Sequence, residues 1–82
     1  MSTGPVDARM AWLILFLKQA DGASPEHWVR LPHRDDMASM LGVATETLCR
    51  AMAEFQHTGA LRRVNNSVYM FDSAAIKKSA RH

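Results

Sequence analysis

The sequence predicts a small, mainly α-helical domain with a minor β component. Three observations lead to this prediction. In several stretches of the 82-residue chain, apolar residues recur at the three- and four-residue spacing of an amphipathic helix. The two central stretches are separated by the short turn 42–44, which begins with glycine. Two β-like runs, with a polar turn between them, follow the second of these helices.

Composition limits the classes of partner and location. An apolar fraction of 48% is ordinary for one folded domain. Ten Lys/Arg against eight Asp/Glu give a net charge of +2, and this weakly basic balance permits nucleic-acid binding. The single cysteine, Cys49, excludes an internal disulfide and indicates a reducing, cytoplasmic location.

The sequence does not indicate a metal site, an enzyme, a membrane span or a signal peptide. The four histidines and Cys49 lack the spacing of zinc ligands, so we expect neither a metal nor a cofactor. No nucleophile–base pair or phosphate loop indicates an enzyme. The longest apolar run, residues 10–17, is too short to cross a membrane, and the residues around it do not indicate a signal peptide.

The first helix is predicted over residues 5–20. Pro5 suits a first helical turn and Asp7 suits the positive end of the helix dipole. Trp12 and Phe16 lie on a different side from the inward stripe, so the helix is apolar over most of its circumference and should be wrapped by the rest of the domain. The alternative is that Trp12 or Phe16 contacts a partner chain or a further domain. The inward stripe consists of Met10, Leu13, Ile14 and Leu17.

The second helix is predicted over residues 34–41. A loop at 21–25 and a short strand over 28–31, ended by Pro32, precede it. His33 stands at the N-cap position, where imidazole is a poor substitute for Ser or Thr. Three side chains of this helix are spaced to face the core: Met37, Met40 and Leu41.

The third helix, over residues 45–57, has two chemically different faces. Its inner face carries Leu48, Met52 and Phe55, with Ala51 at the edge. This order of elements, a helix, a short glycine-containing turn and a helix with a polar outer face, predicts a helix-turn-helix over about 34–58. In such motifs the second helix enters the DNA major groove. The outer face consists of Glu46, Cys49, Arg50, Ala53 and His57.

A β-hairpin and a last helix complete the chain. Gly59 stands where a left-handed residue ends the third helix. The hairpin, about 60–71, is predicted to turn through two residues, Asn65 and Asn66, because Asn tolerates positive φ. A short helix over about 72–78 should follow, capped by Ser or Asp. The whole chain, 1–82, is thus predicted to be one winged helix-turn-helix domain, with a three-helix core and a hairpin wing.

The run DMASMLGVATETLCRAM, at residues 36–52, resembles the C-terminal winged helix-turn-helix domain of the bacterial CRP/FNR transcription regulators. Its Gly-x-x-x-Glu-Thr-x-x-Arg core, at 42–50, carries the resemblance, which extends over roughly residues 6–76. The family's N-terminal sensor domain and dimerisation helix are not expected within this chain. The resemblance implies sequence-specific binding of double-stranded DNA as the DNA-reading domain of such a regulator.

The resemblance also implies which side chains read bases. Glu46 and Arg50 match the two main base-reading positions: a carboxylate accepts from cytosine N4, and a guanidinium bridges guanine O6 and N7. Cys49 stands where relatives carry a small residue. Thr45 matches a position that differs between subgroups. Taken from the residues alone, Glu46 and Arg50 could instead form an exposed i,i+4 ion pair.

Other residues are expected to contact phosphates. The resemblance places Arg34 and Thr47 at phosphate-contacting positions, puts His33 where a hydroxyl residue is usual, and puts Asn66 at the wing tip. The predicted phosphate contacts are His33, Arg34, Thr47, His57, Arg62, Arg63 and Asn66.

Two alternatives concern partners. If two copies pair, the DNA site should be pseudo-palindromic, and a homodimer would form through an N-terminal region missing from this chain or through the Trp12/Phe16 face. A winged helix can also serve as a protein–protein interaction module without DNA binding, and fold alone does not separate these functions.

Overall fold

The computed structural model describes residues 5–20 and 27–81, and it confirms the predicted fold class. The described residues form four helices and a three-stranded antiparallel sheet whose strand order is β1-β3-β2. The loop predicted at 21–25 lies outside the described residues. The elements are α1 Pro5–Ala20, β1 Trp28–Arg30, α2 Arg34–Leu41, α3 Thr45–Thr58, β2 Leu61–Arg63, β3 Val68–Phe71 and α4 Ser73–Ala80.

Helix α1 is the centre of the core and packs on α4, α3 and β1. Met10, Leu13 and Ile14 are buried as predicted, and Leu17 is partly buried against them. The expectation that the domain also covers the Trp12/Phe16 side is wrong, because these side chains are 63% and 52% exposed. The sheet and the other three helices cover the opposite side of α1 in so small a chain.

One carboxyl group between α1 and α3 is electrostatically perturbed. Burial raises the pKa of Asp7, and the nearby negative charge of Glu54 on α3 raises it further. Asp7 stands in the first turn of α1, where the helix dipole favours a negative charge. At the contact between the two helices, burial and the charge of Glu54 thus disfavour the ionised form of Asp7, whereas the dipole of α1 favours it.

Helix α2 departs from the prediction at Met40. His33 stands at the N-cap position as predicted, and its imidazole Nδ1 accepts a hydrogen bond from the Asp35 N–H at 3.2 Å. Met40 is not a core residue and is 53% exposed. The buried side of α2 is centred between Met37 and Ala38, and at about 100° per residue Met40 lies on the far side of Met37 from Ala38.

The turn between α2 and α3 depends on Gly42. Its φ of +70° is left-handed, a conformation that L side chains rarely adopt. The Gly42 and Val43 N–H groups donate to the last carbonyls of α2. Helix α3 then buries Leu48, Ala51 and Phe55, with Met52 partly buried, so the predicted inner face is confirmed.

The wing is a hairpin with a different turn from the one predicted. Arg63 pairs with Tyr69 and Leu61 with Phe71, a register that leaves residues 65–67 in the connection. The predicted two-residue turn is therefore wrong by one residue, and no non-glycine residue in the described part of the chain has positive φ. The reason is the Asn65 side chain, whose Oδ1 accepts from the Ser67 and Val68 N–H groups at 3.2 and 3.1 Å and closes the turn.

The remaining elements fix the wing to the helical core. Strand β1 pairs with β3, with Val29 opposite Tyr69, and the buried Val29 side chain joins the core. The predicted last helix is confirmed as α4, and Asp72 caps it by accepting from the Ala74 and Ala75 N–H groups. Ile76 of α4 is fully buried, consistent with the packing of α4 on α1.

Candidate nucleic-acid interface

The outer face of α3 is open, as its pattern predicts. Glu46 and Arg50 are exposed, whereas Leu48, on the opposite face of the same helix, has no exposed surface. Within the part of the chain that the structure describes, Glu46 and Arg50 form no ion pair with each other or with another residue. The alternative of an exposed i,i+4 pair is therefore not observed, and both charged groups remain available to a ligand.

The first residue of α3 has a different environment. The Thr45 hydroxyl donates a hydrogen bond to Asp35 Oδ1 at 2.9 Å, which joins the start of α3 to the first turn of α2. Asp35 Oδ2 lies 3.5 Å from His33 Nδ1. Thr45 is half-buried, so its side chain is partly engaged within the domain, unlike those of Glu46 and Arg50.

A groove of about 370 Å³ lies between α3, the start of α2 and the wing. It brings together five of the residues that the sequence predicts to contact DNA, although they are distant in the chain. Because hydrogen-bonding and cationic groups from three elements line one concave surface, this groove could follow a polyanionic backbone. The five residues are His33, Arg34, Cys49, Arg63 and Asn66.

Two polar side chains that line this groove were not predicted from the sequence. Gln56 stands seven residues after Cys49, about two helical turns, and this spacing could have placed it on the same face. Tyr69 is the strand partner of Arg63, and no sequence signal identifies it without the strand register.

The wing presents its charged side chains in an ordered way. Arg63 Nε donates to the Asn65 carbonyl at 3.2 Å, and another Arg63 nitrogen donates to Asn66 Oδ1 at 3.4 Å. Arg62 lines a neighbouring groove of about 440 Å³ together with Gln56 and Gly59. Both arginines are exposed. Five predicted site residues line neither groove: Thr45, Glu46, Thr47, Arg50 and His57.

A second exposed region is apolar and lies mainly on α1. We call it the apolar surface: Trp12, Phe16 and Met40, which line a groove of about 410 Å³ together with Arg9 and Ala80. The rings of Trp12 and Phe16 are stacked, with centroids 6.4 Å apart and planes at 13°. Large exposed apolar patches are typical of interaction sites.

A metal site and a membrane-spanning helix are both absent from the described residues. No group of three or more His, Cys, Asp or Glu side chains among them is placed to hold a metal ion. None of the described helices is long and apolar enough to cross a membrane.

Residues 8–78 match the sequence model of the family described as "Crp-like helix-turn-helix domain". The chain belongs to this family. Over 79 residues it is 32% identical to two proteins named "CRP-like cAMP-activated global transcriptional regulator", from Mycobacterium tuberculosis strains CDC 1551 / Oshkosh and ATCC 25618 / H37Rv. The match covers 93% of this chain and 35% of each relative, so this Crp-like chain spans about a third of their length.

Solved structures agree with the family match. TTHB099, a CRP-family transcriptional regulator from Thermus thermophilus, superposes on the Crp-like chain with a TM-score of 0.80 at 24% identity. TTHA1359, a CRP/FNR-family regulator from the same organism, does so with a TM-score of 0.80 at 23% identity. Each match covers 98% of this chain and 42% of the other, and at this identity it shows the fold alone. The matched family and relatives are transcription regulators, not enzymes.

Proposed function

We propose that this domain binds double-stranded DNA in a sequence-specific manner, with α3 in the major groove, as the DNA-reading part of a cytoplasmic transcription regulator. The observation that carries the proposal is the open outer face of α3, where Glu46 and Arg50 are exposed and unpaired among the described residues. The family match supports the same class of function.

The base-reading step uses the first two turns of α3. Arg50 can donate two hydrogen bonds to guanine O6 and N7, and Glu46 can accept one from cytosine N4. Cys49 is half-buried in the groove beside them, and its small side chain permits close approach to a base edge. Thr45 stands at the start of the same helix and completes the base-reading set.

The positioning step uses phosphate contacts beside α3. His33 and Arg34 lie at the start of α2, Arg63 and Asn66 lie in the wing, and all four line one groove. Thr47, His57 and Arg62 are proposed to extend these contacts along the DNA backbone. Such contacts fix register without carrying sequence information, and they make affinity fall as salt rises.

The test replaces Arg50 by alanine. We expect Arg50→Ala to weaken binding to the preferred site by about 1–3 kcal/mol and to relax the preference at one base pair. Random-site selection identifies the preferred site, and titrations on matched DNA variants measure the loss. Arg81→Ala is the control, because it removes the same exposed charge beside α4, which packs on α1. Equal weakening on all sequences would contradict base reading by Arg50.

A second candidate function is self-association through the apolar surface, without DNA binding. The exposed parts of Trp12 and Phe16 favour it, and a second copy is the expected occupant because apolar surface is then covered on both sides. The two rings supply roughly 200–300 Å². This is less than the ~800 Å² per partner of a standard interface, so the association should be weak.

Two measurements separate the candidates. Sedimentation at increasing concentration should show a weak dimer that the Trp12→Ser/Phe16→Ser variant loses. A mobility shift with random-site DNA at low salt should show binding if the first proposal is correct. Failure to shift any DNA at low salt, with a dimer present, would favour the second candidate. The two functions also combine, because a dimer could read a pseudo-palindromic site whose half-sites lie about 34 Å apart.

A further inference from the structure

The hydrogen bond between Thr45 and Asp35 has a fixed direction. A carboxylate accepts hydrogen bonds only, and a threonine hydroxyl has one proton to donate. At 2.9 Å between Oγ1 and Oδ1, the Thr45 proton is therefore committed to Asp35. The hydroxyl oxygen retains lone pairs but has no second proton for another partner.

Asp35 is itself held in place within α2. Its N–H donates to His33 Nδ1 at 3.2 Å, and it stands in the first turn of α2. Ala44, the N-cap of α3, makes no side-chain hydrogen bond, so it does not compete for the Thr45 hydroxyl. The Thr45 proton thus points towards α2 rather than outwards from the start of α3.

The direction matters because major-groove base edges present either donors or acceptors. Adenine N6 and cytosine N4 donate, whereas guanine O6, guanine N7 and thymine O4 accept. A hydroxyl whose proton is already used can accept from an amino group but cannot donate to a carbonyl. Its methyl group can still contact a thymine methyl.

We propose that Asp35 is a specificity-positioning residue, which makes the Thr45 hydroxyl an acceptor and so selects a base with an amino group at the position that Thr45 faces. This inference rests on the proposed function. Each base pair carries an amino group on one base and a carbonyl on the other. The selection therefore appears as a preferred orientation of one base pair.

The experiment is random-site selection with the wild-type chain, Asp35→Ala and the matched control Asp36→Ala. Both substitutions remove one exposed negative charge from the first turn of α2, but only Asp35 contacts Thr45. We expect Asp35→Ala to reduce the orientation preference at one base pair roughly 2- to 10-fold, the range of one hydrogen bond. Preferences at the base pairs read by Glu46 and Arg50 should not change, and Asp36→Ala should keep the wild-type profile.

Substitutions at Thr45 keep the test decisive if Asp35→Ala does not fold. Thr45→Ser retains the hydroxyl and should retain the preference, whereas the isosteric Thr45→Val should lose it. The inference is overturned if Thr45→Val keeps the preference, or if Asp35→Ala and Asp36→Ala give the same profile. A wild-type chain that selects no sequence overturns the proposed function as well. If Arg50→Ala loses selection but the Asp35 and Thr45 variants keep the wild-type profile, this inference is overturned and the proposed function stands.

Discussion

The outer face of α3 and the apolar surface are both open to solvent, yet their chemistry differs. The first exposes a carboxylate and a guanidinium beside a groove lined by arginine, histidine and asparagine side chains. The second exposes two stacked rings and a methionine. Helix α2 contributes to both regions, with its first turn at the groove and Met40 at the apolar surface.

Exposure alone therefore does not identify the kind of ligand that a surface binds. Directional hydrogen-bonding groups can distinguish one base from another. Apolar rings, by contrast, obtain most of their binding free energy from the removal of water. The apolar surface exists because so short a chain covers only part of the circumference of α1. The α3 face exists because Leu48 and Phe55 anchor the opposite side of that helix in the core.

Replacing Leu48 or Trp12, two large apolar residues, should change stability by very different amounts. Leu48 is fully buried beneath the α3 face, so Leu48→Ala should reduce the free energy of unfolding by about 2–5 kcal/mol. Trp12 is 63% exposed, so Trp12→Ala should change it by about 0.5 kcal/mol or less.

Chemical denaturation of the two variants at one protein concentration checks this contrast. A fixed, low concentration matters because self-association through Trp12 would add apparent stability. A loss with Trp12→Ala as large as that with Leu48→Ala would show that the apolar surface is covered within the single chain.

Two exposed arginines, Arg63 and Arg9, should differ in how much each contributes to the salt dependence of DNA binding. Arg63 lines the groove beside α3, whereas Arg9 lines the groove of the apolar surface, where it donates to the Leu41 carbonyl at 3.4 Å. If Arg63 contacts a phosphate, Arg63→Ala should reduce the slope of log affinity against log salt by about 1, equally for all sequences. Arg9→Ala should leave the slope unchanged.

Titrations at four or more salt concentrations, on preferred and random DNA, measure both slopes. A wild-type slope for Arg63→Ala would remove Arg63 from the proposed phosphate contacts. A reduced slope for Arg9→Ala would mean that DNA also covers the apolar surface. The two regions would then not bind different classes of partner.

The helices and their inner faces could be predicted because they depend on local spacing. Leu48 and Phe55 recur at the helical period, and Gly42 and Gly59 end the two central helices in the left-handed conformation that glycine favours. Met40 shows the limit of this reasoning, since spacing alone does not say where the centre of the buried side lies.

The error in the wing turn arose from side-chain hydrogen bonds that compete with the backbone preference of Asn. The Asn-Asn pair suggested a tight turn with positive φ, but Asn65 closes a longer connection through its own amide oxygen. His33, by contrast, caps α2 at the predicted position, through the lone pair of Nδ1.

The groove itself could not be predicted, because it depends on how the wing docks. Strand β1, just before α2, pairs with β3 of the hairpin, and Arg63 and Asn66 of the wing line the same groove as Arg34. That pairing joins residues some forty positions apart, and no local pattern specifies it. The outer face of α3 was predictable residue by residue, whereas the concave surface beside it was not.

The smallest effect concerns Asp7, which links the helix of the apolar surface to the helix of the α3 face. Burial, and next the charge of Glu54, raise the pKa of Asp7 above its ordinary value of 3.8. The folded state therefore holds this proton more tightly than the unfolded state. The stability that Asp7 contributes is present at pH below 3.8 and is lost as the pH rises through its raised pKa.

Asp7→Asn keeps the size of the side chain and removes this titration. The unfolding free energy of the variant, relative to wild type, should therefore rise as the pH increases from below 3.8 through the raised pKa of Asp7, with the lost charge–dipole interaction of α1 as an opposing contribution once Asp7 is ionised. Glu54→Gln should lower the pKa of Asp7 without returning it to 3.8, because burial is the larger cause. Carboxyl NMR titration of Asp7 in the wild type and in Glu54→Gln measures this directly. A midpoint at or below 3.8 in the wild type would mean that α1 and α3 do not enclose this carboxyl, and the two regions would then be less tightly joined than the packing indicates.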